Sequence, residues 1–566
     1  MAGKNLFLGI DCGTQSLKLE VYEGGAAGEL RLVDGVAVHY QVATEDDHLE
    51  VGEDGAVTTD PLVWAAALDG GLQALKGRMA LSRVAAVGGS GQQHGSVYWK
   101  KGSRELLLRG LDAGLPLAEQ LRGAFSVERS PIWMDSSTTA QCRSLCDEAF
   151  EGDPQQQAEA TGSGLYERFS GNQLLKIAQA RPHLLLQTER ISLVSSFVCS
   201  LFLGDYAPID HSDASGTSLF HLPSRSWHSP ALQAASAGLL SPEALSHLLG
   251  TPSPPLSIAG TVSPYFQHRY GFSPDCLLSV FSGDNPCTVA GLRLTLSSSA
   301  SPSSPSSSPS SPWALSLGTS DTLLALTATP HPHPLLGHVM ASPLDPSHCM
   351  VMLCYKNGSH ARHHLLRRWL TPASDPSTND ADVFAATAAA LSQTPAGAGG
   401  FSGFYFPQPE IFPPLACGLF RFSPEGLPVA SLPSPAHDAR ALFEGRFVSM
   451  RAHARRIGMA PPSRVLVTGG GSQAPAVLQI IADVFQAPVY TLPATSNGAA
   501  LGAAFLAFLV FHRRSPADPS LHPLHLLLAC SPSPSSSSLF TDAFLDRHST
   551  LEQQLLQISP SPFHTY

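Results

Sequence analysis

Charge is scarce in this chain. Lys, Arg, Asp and Glu make up 14% of 566 residues, and the formal net charge is -11. A nucleic-acid binder carries a basic face, so this balance argues against that class. No apolar run approaches the roughly 20 residues of a membrane-spanning helix. The longest, 499–510 with Phe511, predicts a core helix. No GxxxxGK[ST] phosphate loop occurs. The ten cysteines form no framework: Cys142 and Cys146 are four apart, with no second pair at metal-finger spacing. Free thiols in a reducing cytosol are the expectation. No signal or transit segment is read before the first predicted strand, 6–10.

What is present points to a large α/β protein. Hydrophobic residues are 43% of the chain, enough to bury a core shared by two or more domains. The apolar run 277–281 predicts a buried strand, followed by Ser282-Gly283-Asp284-Asn285 and a small-residue helix start. An acid at the carboxyl end of a strand stands where α/β folds place reacting groups. Asp284 there can take a proton from a substrate hydroxyl. Taken alone, the same four residues also suit an Asx turn or a helix cap.

Other loops bear on that choice. Asp11-Cys-Gly13-Thr14-Gln15-Ser joins two predicted strands, a turn that can aim N–H groups and hydroxyls at phosphate or simply close a hairpin. Asp11 at its mouth suits Mg²⁺ held through water. After a strand over 84–88 comes Gly89-Ser-Gly91-Gln-Gln93-His94-Gly95. His94 occupies the third glycine position of a dinucleotide fingerprint, which rejects that reading. Gln92, Gln93 and His94 instead offer donors and acceptors suited to a polyol, where a lone His would more often be structural. Asp135 or Ser136 is expected to cap a helix. Arg168 can fork onto substrate oxygens or lie as a surface charge. His331, His333 and His338 sit among prolines and read as a surface loop, with metal binding as the alternative. Asn357-Gly-Ser matches a glycosylation sequon. Leu317-Gly318-Thr319-Ser repeats the first turn in the second half of the chain, which suggests two similar domains gripping one polyphosphate. Thr468-Gly-Gly470-Gly471-Ser is a glycine-rich strand-to-helix turn that admits close approach of a nucleotide.

In this order the loops resemble the FGGY carbohydrate kinases, over about 6–510. The resemblance rests on the two Gly-Thr turns, the 468–472 loop, 90–99, 133–143, 166–173, 189–196 and Gly283-Asp-Asn-Pro286. It implies two ribonuclease-H-like domains of actin and hexokinase type with a catalytic cleft between them. It implies transfer of the ATP γ-phosphoryl group, with Mg²⁺, to the 5-hydroxyl of D-xylulose. Asp284 takes the general-base position. Gln93, His94, Arg168, Asp284 and Asn285 fall at the sugar. Gly13, Thr14, Gln15, Gly318 and Thr319 fall at phosphate, and Gly470, Gly471 and Ala474 at the nucleoside. Ala474 stands where the family often carries Asn, so a side-chain contact is lost there. Trp369 has no clear place.

The implied domains are 1–293 and 313–511, separated by a Ser/Pro insert over 294–312 and followed by a low-complexity tail, 512–566, with no site. Partners are a sugar and ATP, without nucleic acid or membrane. A kinase for ribulose or another pentulose is the alternative within enzymes. A catalytically silent sugar sensor on the same fold is the alternative outside them.

Overall fold

The computed structural model describes residues 6–40, 48–295, 311–371, 379–492 and 498–558. Most of the expected Ser/Pro insert lies outside them. The chain divides into two compact units. One holds Met1–Arg293, Val339–Met350 and Thr495–Leu524; the other holds Leu294–His338, Val351–Ala494 and His525–Tyr566. Val339–Met350 and residues 495–511, expected in the second domain, thus cluster with the first unit, as does the start of the expected tail, 512–524.

The first unit is built on a sheet with strand order Ile258–Thr261, Leu277–Ser279, Val84–Gly91, Leu6–Cys12, Ser16–Gly24, Leu30–His39. Leu6–Cys12 pairs parallel with Val84–Gly91 and antiparallel with Ser16–Gly24. Every residue of Leu6–Cys12 and Val84–Gly91 is buried, as expected for strands covered on both faces. Helices Pro61–Lys76 and Val194–Leu203 join this core through Trp64, Leu68 and Phe197, against Leu8, Ile10 and Val87. Helix Gly498–His512 lies unusually close to the sheet. A Cβ on Gly9 would stand 2.0 Å from the Ala500 carbonyl oxygen, and one on Gly88 2.0 Å from that of Ala503. The glycines in the strands and the alanines in the helix are one packing solution read from two places in the sequence.

The second unit repeats the local plan. Trp313–Leu317 runs antiparallel to Asp321–Thr327 through a Gly-Thr turn and parallel to Val465–Thr468. Val489–Thr491 follows in parallel, and Leu527–Cys530 pairs antiparallel at the edge. Helix Pro435–Arg456 packs in this unit, with Leu442, Phe443, Phe447 and Val448 among its buried residues.

Three expectations are corrected. The tail is not merely low-complexity: besides the edge strand it carries a 17-residue helix, Asp542–Ile558. Its buried residues Leu545, His548, Leu551, Glu552 and Leu555 recur at helical spacing. His338 is buried in strand His338–Ala341 rather than lying in a surface loop. Asp135 is not the helix cap. Helix Thr139–Phe150 begins after Thr138, which makes no side-chain cap bond. Asp135 is buried and accepts from Val57 N, Ser137 N and Gln173 Nε2, tying three segments together.

Candidate active site

In the first unit the ends of three strands bring the predicted residues together. Asp11 and Ser90 are register partners across the parallel pair, and the Ser90 hydroxyl donates to Asp11 Oδ1 at 3.1 Å. Lys18 Nζ stands 3.5 Å from Asp11 Oδ2. The following turn is pinned at each residue. Gly13 O accepts from the Tyr40 hydroxyl at 3.0 Å, and Gln15 O accepts from Tyr40 N at 3.2 Å. Between them, the Thr14 hydroxyl accepts from Trp133 Nε1 at 2.7 Å. This tether between the turn and the 131–135 segment was not read from the sequence.

His94 has a left-handed backbone, φ 70°. That conformation is costly for a non-glycine residue and persists where surroundings hold it. Here the Ser170 hydroxyl donates to His94 O at 2.8 Å, and the imidazole stacks on Phe169 with centroids 4.6 Å apart. Nδ1 lies 2.8 Å from Gly216 O, so Nδ1 carries the proton and donates. Burial, with Arg168 adding to it, pushes the imidazole pKa down to about 3. The ring is therefore neutral, with Nε2 as an acceptor. The Arg168 guanidinium packs over the Tyr166 ring, 4.9 Å from its centroid.

Asp284 begins helix Asp284–Gly291, directly after the bridge Ser282–Gly283 that extends Val84–Gly91. Its Oδ1 accepts from Asn285 N at 2.8 Å and from Asn285 Nδ2 at 3.1 Å. Asn285 Nδ2 also donates to Gln93 Oε1 at 3.0 Å, so the two strand ends are bridged by side chains. Asp284 is half-buried. Burial first, and the Asp11 charge second, push its carboxyl up to about 7 against the Asn285 hydrogen bonds. A carboxylate poised near neutral pH is suited to accept a proton from a hydroxyl. Asp210 and Asp213, which the sequence reading passed over, lie beside this group. Ser282 donates to Asp210 at 3.0 Å, and the charges of Asp210 and Asp284 both act on Asp213.

The second unit holds a separate cavity of about 590 Å³, lined among others by Leu317, Arg362, Phe384, Gly470, Gly471 and Ala474. Apolar walls with a few polar groups are what a nucleoside site offers. Gly469 enters this loop at φ 81°, and a Cβ there would stand 2.5 Å from Leu317 O. Gly318 and Thr319 form the turn beside it, where Ser359 N donates to Gly318 O at 2.8 Å. Arg362 forks onto Asp321, both buried. Asn357 of the sequon is buried and donates to Gln408 O at 3.0 Å and to Glu410 at 3.1 Å, which is no place for a glycan. Trp369 packs edge-on against Tyr405 and does not line the cavity.

One unit thus gathers polar side chains at its strand ends, and the other holds an apolar-walled cavity beside a glycine-rich loop. Residues 126–291 match the N-terminal domain, and residues 313–510 the C-terminal domain, of the FGGY family of carbohydrate kinases. The chain belongs to that family. It is 39% identical to the xylulose kinase of Mus musculus, over 99% of this chain and 96% of the relative. It is 40% identical to xylulose kinase 2 of Arabidopsis thaliana, over 89% of this chain and 87% of the relative. The crystal structure of xylulose kinase from Rhodospirillum rubrum superposes with a TM-score of 0.76 at 19% identity, covering 98% of this chain and 99% of that one. That last likeness is one of fold.

Proposed function

We propose that this chain transfers the γ-phosphoryl group of ATP to the 5-hydroxyl of D-xylulose, with Asp284 as general base. The observation that carries the reading is the Asp284–Asn285–Gln93 bridge at the joined strand ends, with a carboxyl poised at about 7. Asp284 removes the hydroxyl proton as the sugar oxygen bonds to phosphorus and ADP leaves with the electrons of the broken bond. Gln93, the neutral His94, Arg168 and Asn285 hold the other sugar oxygens. Thr14, Gln15 and Thr319 offer N–H groups and hydroxyls to the phosphates, in turns that Gly13 and Gly318 close through N–H bonds to Ser16 O and Ser320 O at 3.1 Å; this is positioning rather than covalent chemistry. Gly470, Gly471 and Ala474 let the nucleoside approach backbone closely.

Asp11 fits a magnesium ion carried by the nucleotide. Among the described residues no group of three or more His, Cys, Asp or Glu could hold a metal ion unaided. A single carboxylate beside a phosphate turn matches an ion that takes its remaining ligands from phosphate and water. Bound there, it supplies charge neutralisation on the transferring phosphoryl group. All ten cysteines are free, and no described helix is long and apolar enough to cross a membrane; both fit a cytosolic setting. ADP release coupled to D-xylulose consumption tests the proposal. Release in step with sugar phosphate formed supports it, and no sugar-dependent release overturns it.

A further inference from the structure

Two buried carboxyls, Asp210 and Asp213, meet the half-buried Asp284 at the proposed sugar site, and their hydrogen-bond donors are shared unequally. Asp210, at the N-cap of the short helix His211–Ala214, accepts from Ser212 N at 3.0 Å, Asp213 N at 2.9 Å and the Ser282 hydroxyl at 3.0 Å. Asp284 accepts from Asn285 N and Nδ2. Asp213 is 1% exposed; the Ser195 hydroxyl donates to Oδ2 at 2.5 Å, and the Gln93 amide adds a weaker pull on the same carboxyl. Its Oδ1 has no donor at hydrogen-bond geometry. That atom faces the space between Gly283 and Gln93: a Cβ on Gly283 would stand 3.0 Å from it and 2.6 Å from Gln93 Cγ.

Like charges this close, out of water, do not all stay ionised. Each donated hydrogen bond favours the charged form of its acceptor, so the proton settles where donors are fewest. That is Asp213. An undonated oxygen is costly on a buried carboxylate and far cheaper on a neutral acid.

We propose that Asp213 is a positioning residue of the sugar site, a neutral carboxylic acid that packs beneath Gly283 and Gln93. It thereby seats the Gln93–Asn285 bridge, and it leaves Asp284 as the carboxyl that takes the sugar proton. The inference rests on the proposed role of Asp284. The titratable groups facing Asp213 are Asp210 beside it, and Asp284 and the Cys287 thiol on the helix after Gly283; no cation is among the influences found on it. Helix Val194–Leu203 faces it with Ser195. Burial, together with the charges of Asp210 and Asp284, pushes its carboxyl well above the usual range, in line with the donor count. Gly283 belongs to the same device, because any larger residue there collides with Gln93.

The test is a pH profile of kcat/KM for the full chain with D-xylulose, with infrared difference spectroscopy on the same proteins. Asp213→Ala is expected to lose about tenfold or more in kcat/KM, the order of one lost positioning contact at a reacting group. Asp213→Asn, which copies the neutral acid in shape and charge, is expected to recover most of that loss and to keep the acid limb at the wild-type pH. The wild type at pH 8 is expected to show the carbonyl band of a protonated carboxylic acid, absent from Asp213→Asn. A limb displaced by a pH unit or more to lower pH in Asp213→Asn would overturn the proposal, because it would mean that a charge beside Asp284 had been removed. A wild-type spectrum without the band, or a band that survives in Asp213→Asn, would overturn it too. Should Asp213→Ala not fold, Asp213→Asn and the wild-type spectrum decide. Should no sugar be phosphorylated at all, the functional reading fails, while the spectrum still judges the proton.

Discussion

The indole Nε1 of Trp133 donates to the hydroxyl of Thr14 at 2.7 Å, although 44% of Trp133 is exposed. The same hydroxyl lies 3.4 Å from Gln92 Oε1, a longer and weaker contact. Trp133 therefore fixes how Thr14 presents its oxygen. On the proposed reading Thr14 serves phosphate, so Trp133→Phe should lower kcat/KM for ATP by about fivefold, the worth of one net hydrogen bond near 1 kcal/mol. A double-mutant cycle checks the route: Thr14→Val with Trp133→Phe should cost little more than Thr14→Val alone. Additive losses would show that the two act separately.

Asp284 gives a linked pair of outcomes. Asp284→Ala should lower turnover by roughly 10²–10⁴-fold with ATP binding little changed. Its folded pKa, about 7, stands above the ordinary 3.8. The native state therefore binds this proton more tightly than the unfolded chain, and stability is lost as pH rises from about 4 through 7. Asp284→Asn should then melt at a higher temperature than the wild type at pH 8, with the gap closing toward pH 4. For the active wild type the acid limb of the rate profile should fall near 7. An Asp284→Asn protein less stable at pH 8 would contradict the assigned shift.

In the loop proposed to meet the nucleoside, Gly469→Ala would force a Cβ to within 2.5 Å of Leu317 O at φ 81°. The loop must move to relieve that contact. Calorimetry should show ATP binding weakened by about tenfold or more, with D-xylulose binding intact, since the sugar residues lie in the other unit.

The C-terminal helix is held through a buried polar chain. Tyr355 Oη lies 2.9 Å from His453 Nδ1, His453 Nε2 lies 2.6 Å from Glu552 Oε2, and Ser449 donates to Glu552 Oε1 at 2.9 Å. Burial works to raise the Glu552 carboxyl, but His453 foremost, with His548 and Ser449, together hold it below the usual range. Glu552→Ala should cost about 3–5 kcal/mol of the second unit's stability in urea, because it strands a buried partner. A change below 1 kcal/mol would show that the chain is not structural.

Much of this was legible because the signals were local. Leu6–Cys12, Val84–Gly91 and Val465–Thr468 are apolar runs closed by glycine, and the turns after them follow directly. Asp284 was legible for the same reason, as an acid at a strand's end. Asp213 was not, because nothing in its neighbourhood of sequence says that Ser195, Gln93 and Gly283 converge on it. Trp133 escaped likewise, since its partner Thr14 lies far back in the chain. Helix Asp542–Ile558 is different: its stripe of Leu545, His548, Leu551 and Leu555 is plain at helical spacing, and the Ser/Pro-rich stretch before it masked the pattern. Asp135 misled because an acid before Ser and Thr looks like a cap, whereas here it serves three segments at once.

The central claim is the identity of the sugar. D-xylulose and D-ribulose differ only in the hydroxyl at C3, so discrimination falls on whether one polar group of the site is left unpaired. Gln93, His94, Arg168 and Asn285 are drawn from three separate loops, and a misplaced hydroxyl cannot satisfy them all. Leaving one buried group unpaired costs about 1–3 kcal/mol, on the order of tenfold to a hundredfold. The deciding measurement is kcat/KM for D-xylulose, D-ribulose and glycerol at one ATP and Mg²⁺ concentration. The account predicts D-xylulose ahead of D-ribulose by about that factor, with glycerol behind both. Equal values for the two pentuloses, or D-ribulose ahead, would contradict it.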